Sequence, residues 1–176
     1  PREQKKKYDI VFVGNMNYPP NIEAVNYLCK KIIPLIEKKY KNCKVLIGGT
    51  NPHRTIKQLQ SKNIHISGWV NDIREIYASG TIFVAPMFIG TGLQNKLLEA
   101  MSMGIPCITT SLANNALLAN SSQIIIANTP LEFASACIKL LENKKLSNEI
   151  KLEALKFVKE KYDWKKINHK LEQLFE

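Results

Sequence analysis

The chain has 176 residues, 45% of them hydrophobic and 23% charged, which fits one globular domain and excludes a disordered chain. No apolar run approaches the roughly 20 residues that a membrane-spanning helix needs. Lys plus Arg number 25 against 15 for Asp plus Glu, a net charge of +10; only Arg2, Arg54 and Arg74 are arginines and the lysines are scattered, which argues against a reader of nucleic acid and fits an anionic lipid surface better.

In chain order, the basic start Pro1 to Lys7 runs directly into Asp9-Ile-Val-Phe-Val13, an apolar run closed by Gly14 and read as a buried strand. Asn21 to Tyr40 has helical spacing, with Ala24, Leu28, Ile32 and Leu35 on one face. Asn21 is placed to cap this helix after Pro19-Pro20, and Pro34 to kink it. Cys43 to Gly48 is a second strand, Pro52 to Ser61 a helix, and Ile64 to Ser67 a third strand ending at Gly68. Asp72 with Glu75 has capping-box spacing for a short helix. Thr81 to Ala85 is a fourth strand, Thr91 to Met103 a helix, and Pro106 to Thr109 and Gln123 to Ile126 two further strands. From Pro130 the chain reads as helix, with breaks near Lys144 and at Tyr162-Asp163-Trp164.

The strands are continuous apolar runs rather than alternating ones, the pattern of a parallel sheet covered on both faces. Right-handed crossovers then make the fold α/β: a doubly wound, parallel six-stranded sheet with helices on both faces. With strand order 3-2-1-4-5-6 the topological switch lies between the first and fourth strands. It is flanked by Gly14 to Asn21 and Pro86 to Gly92, where ligands of such sheets bind. Cys29, Cys43, Cys107 and Cys137 form no C-x-x-C pair and read as buried thiols of a reducing compartment. His53, His65 and His169 lack metal-ligand spacing, so no metal site is expected.

The stretch Pro86 to Pro106 carries the chemistry. Gly90 and Gly92 permit close backbone approach, and the helix N-terminus just after them would offer free N–H groups to a phosphate. Lys96 lies four residues after Gly92 and Glu99 three further on, so a cation could meet phosphates while a carboxylate meets a diol. At helical rise, Thr91 to Glu99 spans about 12 Å, the reach from a diphosphate to its ribose. Spacing alone equally allows a plain tight turn and an exposed i,i+3 pair. No G-x-x-x-x-G-K-[ST] loop exists, and Asn95 stands where the dinucleotide fingerprint needs its third glycine.

Pro86, Gly90, Gly92, Lys96, Leu98, Glu99, Ala100, Met101, Gly104 and Pro106 together strongly resemble the donor-binding signature of family 4 retaining glycosyltransferases. The resemblance continues through Phe12 to Asn21, Gly68-Trp-Val70-Asn-Asp72 and Tyr162-Asp-Trp164. It implies the Rossmann-like C-terminal half of a two-domain GT-B enzyme, with residues 1–176 a single nucleotide-sugar-binding domain and 163–176 its terminal helix. The chain departs from the family pattern in two respects. Thr91 replaces the first Glu of the E-x7-E pair, and Asn15, Asn17 and Asn21 stand where the first loop often carries Arg and Lys, which leaves Lys96 as the main phosphate cation.

By this resemblance a hexose moves from a nucleotide-diphospho-sugar to an acceptor hydroxyl, in bacterial polysaccharide or glycan biosynthesis. Lys96 and Glu99 are the catalytic residues it implies. Gly14, Asn15, Gly49, Trp69, Val70, Gly90, Thr91, Gly92, Leu93 and Gln94 are the implied donor-binding residues, with Glu99 on the ribose and Trp69 and Val70 near the base. No cofactor or metal is expected, and the leaving charge falls to Lys96, the Gly92 and Leu93 N–H groups and the helix dipole. The chain lacks an initiator Met and is expected to be a piece that lacks its N-terminal acceptor domain and is inactive without it. Its expected place is the cytoplasm, peripheral to the inner face of an anionic plasma membrane, with no nucleic-acid partner. Two other readings use the same clamp: a sugar-nucleotide epimerase half, which would need further acid–base groups in the cleft, and a non-catalytic nucleotide-binding module.

Overall fold

The computed structural model describes residues 6–90 and 92–162. Six strands form one all-parallel sheet in the order β3-β2-β1-β4-β5-β6. They are β1 (Tyr8–Val13), β2 (Val45–Gly48), β3 (Ile64–Gly68), β4 (Gly80–Ala85), β5 (Cys107–Thr109) and β6 (Ile125–Ile126). Strand β1 is central, pairing Val11 with Leu46 of β2 and with Phe83 of β4. Ile10, Val11 and Phe12 are wholly buried, as are Val45, Ile47, Ile82, Phe83 and Val84, because helices cover both faces. This is the doubly wound sheet expected, with its order reversing between β1 and β4.

The helices are α1 (Pro19–Tyr27), α2 (Ile33–Glu37), α3 (Arg54–Lys57), α4 (Ile73–Ser79), α5 (Asn95–Ser102), α6 (Ser111–Asn114), α7 (Pro130–Glu142) and α8 (Lys144–Lys161). Helices α1 and α2 are joined by a π turn at Leu28–Ile32, where Ile33 N–H reaches back to Leu28 O. Pro34 supplies no N–H and crowds the carbonyl four residues back, so the expected kink takes the form of this widened turn. Helix α7 opens with a capping box, Thr129 with Glu132, and Asn143 caps α8 by accepting from Leu146 N–H at 3.0 Å. No helix among the described residues is long and apolar enough to cross a membrane.

Several boundaries differ from the sequence reading. Helix α1 starts at Pro19, not Asn21: both prolines sit in the first turn, where a missing N–H costs nothing. Asn21 is therefore inside the helix, 4% exposed, rather than its cap. The helix expected at Pro52 to Ser61 is the short α3, because Ile56 is the one fully buried apolar side chain of that stretch. Asp72 does cap α4, through Arg74 N–H at 3.0 Å, but its carboxylate pairs with the Arg74 guanidinium rather than completing a box with Glu75. Most consequential, α5 opens at Asn95, not Thr91. Gly92 has no neighbour within 4 Å for a side chain to pack on, and Leu93 is exposed, so winding residues 92–94 into the helix would bury nothing. Residue 91 and the expected terminal helix 163–176 lie outside the described residues.

The loops after β1 and β2 are laced together. Gly14 N–H donates to Gly48 O, Met16 N–H to Thr50 O and His53 N–H to Met16 O. Gly49 has φ +136°, and a Cβ there would lie 1.8 Å from Gly14 O. Backbone thus packs on backbone, at a φ that only glycine adopts readily. Gly49→Ala should lower unfolding free energy by about 2–4 kcal/mol, read from denaturant titration; wild-type stability would contradict this packing.

Candidate functional site

Where the sheet order reverses, the loop after β1 and the loop after β4 part and leave an open cleft of about 650 Å³ at the carboxyl ends of the strands. That volume suits a small organic ligand. The lining brings together Gly14, Asn15, Gly90, Gly92, Leu93, Gln94, Lys96 and Glu99 of the expected residues. Val13, Tyr18, Asn21 and Tyr77 join them. Gly49, Trp69 and Val70 are outside the lining. Gly49 stands one layer back, against Gly14. Trp69 is 68% exposed in the loop after β3. Thr91 lies outside the described residues.

Lys96, in the first turn of α5, is half-buried. Its Nζ donates to Asn21 Oδ1, lies 3.7 Å from Met87 Sδ and sits 5.1 Å above the Phe12 ring. Burial lowers its pKa to about 8, partly opposed by the charge of Glu99. Asn21 uses its other end as well, donating from Nδ2 to Asn15 O at 2.9 Å. This amide thus ties the first loop to α5, and a Cβ on Gly14 would collide with it at 2.6 Å.

Lys96 and Glu99 are three residues apart, yet they form no ion pair; those among the described residues are Asp72–Arg74 and Glu153–Lys156. Glu99 is exposed and accepts a hydrogen bond from Tyr77 Oη, 2.7 Å from Oε2. Burial first, then the bond to Glu99, raises the Tyr77 pKa far above the ordinary phenol range, so the phenol remains a neutral donor. The helical-rise estimate from Thr91 to Glu99 does not hold, because only Asn95 onward is helical. Gly92, Leu93 and Gln94 form a loop ahead of α5, so the positive end of its dipole lies beyond Gln94.

Among the described residues the site therefore offers one cation, one carboxylate, loop amides and bare glycine backbone. That set suits an anion joined to a polyol. The role of Tyr77 had no signal in the sequence, since its partner is 22 residues away. The four cysteines are buried free thiols. Burial pushes Cys29 and Cys43 up to about 12 and raises Cys107 and Cys137 well above the ordinary thiol value, which leaves no thiolate nucleophile near neutrality.

A family model described as Glycosyl transferases group 1 matches residues 7–143. An uncharacterized 44.6 kDa protein in the cps region of Klebsiella pneumoniae is 28% identical over 169 residues, 90% of this chain and 44% of that protein. The Escherichia coli UDP-Gal:alpha-D-GlcNAc-diphosphoundecaprenol alpha-1,3-galactosyltransferase is 33% identical over 89 residues, 49% of this chain and 23% of that enzyme. A mutant of S. aureus TarM, solved with Fondaparinux, alpha-GlcNAc-glycerol and UDP, shares the fold at a TM-score of 0.80 and 17% identity, covering 99% of this chain and 36% of that one. The chain thus spans less than half the length of these relatives.

A partly buried lysine has a measurable signature. The unfolded chain holds the Lys96 proton up to about pH 10.5 whereas the folded chain releases it near 8, so stability should rise with pH between those values. From pH 7 to 9.5 wild type should gain about 1–2 kcal/mol relative to Lys96→Met. Denaturant titrations of both at the two pH values check this; parallel pH profiles would refute it.

Proposed function

The chain belongs to the glycosyl transferases group 1 family, and from that premise we propose that its cleft holds the nucleotide-diphospho-sugar donor of a hexosyltransferase acting with retention. The carrying observation is that Lys96 and Glu99 open onto the same cleft as Gly14, Asn15 and Gly92. A diphosphate fits beside Lys96 and the loop amides of Gly92, Leu93 and Gln94. The ribose then meets Glu99, and the base extends toward Trp69 and Val70 beyond the cleft. The UDP in the names of the E. coli relative and the TarM structure supports uracil as that base.

In the reaction the anomeric C–O bond breaks and its electron pair stays on the terminal phosphate oxygen, while the sugar passes to an acceptor hydroxyl that loses its proton. The protein's part is to neutralise the leaving diphosphate. Lys96 does this as a desolvated point charge, stronger there than in bulk water. The amides add donors that need no reorganisation. The acceptor is held by the remainder of a longer protein, as the partial coverage of the relatives supports. A lipid-linked diphosphate acceptor, like the one in the E. coli relative's name, would place the work at the cytoplasmic face of a membrane, where the +10 charge favours contact with anionic lipid.

Calorimetry with UDP, GDP and ADP at pH 7 should show UDP bound best. Lys96→Ala should weaken it by about 1–3 kcal/mol, the range for a charge-assisted hydrogen bond. Because Lys96 deprotonates near 8, wild-type affinity should fall between pH 7 and 9 and that fall should vanish in the variant. Equal affinity of both proteins would overturn the assignment.

A further inference from the structure

Glu99 is exposed at the cleft, and a free glutamate side chain there would sample many rotamers. Its neighbour Lys96 turns instead to Asn21. Among the described residues the Glu99 carboxylate accepts one hydrogen bond, from Tyr77 to Oε2. Tyr77 is itself 1% exposed, and its ring packs at 5.5 Å against Phe83 in the centre of the sheet. The phenol is therefore a rigid donor anchored in the core, with its hydroxyl at the cleft wall.

We infer that Tyr77 is the positioning residue for Glu99, holding Oε2 so that Oε1 accepts hydrogen bonds from a vicinal diol, and that it thereby sets the preference for nucleotides with an intact ribose. This rests on the donor-site reading above. The geometry favours it over a purely structural role for Tyr77, because packing requires only the ring and the hydroxyl's other contact, Lys96 O at 3.3 Å, is longer than that to Glu99 at 2.7 Å. A carboxylate held by one oxygen loses less freedom when a diol binds the other, so the ligand's hydroxyls gain more.

The test compares UDP with 2′,3′-dideoxy-UDP by calorimetry for wild type, Tyr77→Phe, Glu99→Ala and the double variant. Pyrophosphate serves as a probe of the phosphate end, and thermal melts as a check of folding. Wild type should favour UDP over the dideoxy nucleotide. Tyr77→Phe should cut that preference about three- to ten-fold, the worth of one hydrogen bond. Pyrophosphate affinity should stay unchanged, and Tyr77→Phe should have no further effect once Glu99 is alanine. A wild-type ratio in Tyr77→Phe, or the same loss with Glu99 already removed, overturns the positioning role and leaves the donor reading standing. Failure of wild type to bind any of UDP, GDP or ADP overturns both.

Discussion

One buried amide joins the two sides of the cleft. Asn21 is 4% exposed, and both of its polar ends are used, Nδ2 on Asn15 O and Oδ1 on Lys96 Nζ. Leaving either end unpaired in that environment would cost about as much as a lost hydrogen bond or more. The first loop, the start of α1 and the first turn of α5 are consequently set by one side chain at the point where the sheet order reverses. Everything the cleft can do depends on that spacing.

The site is held at some cost to the fold. Lys96 is kept as a cation in surroundings that favour its neutral form. Gly49 holds a backbone conformation unfavourable to other residues so that the loop after β2 can press on Gly14. Both features make sense if the loop after β1 must lie flat along a bound anion and a positive charge must wait beside it. The surrounding sheet, with Phe12 and Phe83 stacked 6.3 Å apart between β1 and β4, supplies the rigidity that this needs. Phe12 also takes part directly, since its face lies beneath the ammonium.

Much of the fold was legible in the residues. Asp9 to Val13, Thr81 to Ala85 and Pro106 to Thr109 are short β-branched or aromatic runs closed by Gly, Pro or polar residues, and each matches an observed strand to within one residue. The stretch Pro86 to Pro106 likewise pointed to a strand end, a glycine-rich turn and a helix start in that order. Boundaries decided by burial were not legible. Gly92 is a poor helix former with nothing to pack on and Leu93 is exposed, so α5 begins late. Asn21 has the composition of a cap, yet two prolines displaced the helix start and turned its side chain inward.

The sequence by itself determined the parallel sheet, its alternation with helices and the presence of a cation and a carboxylate three residues apart on one helix, because these follow from local periodicity and side-chain type. Only the tertiary structure decided what each of the two does. Lys96 and Glu99 diverge rather than pair, since the lysine finds Asn21, 75 residues away, and the carboxylate finds Tyr77, 22 residues away. Such partners are chosen by which helices the sheet brings together at the switch between β1 and β4. That choice is made by non-local packing, which no window along the chain contains.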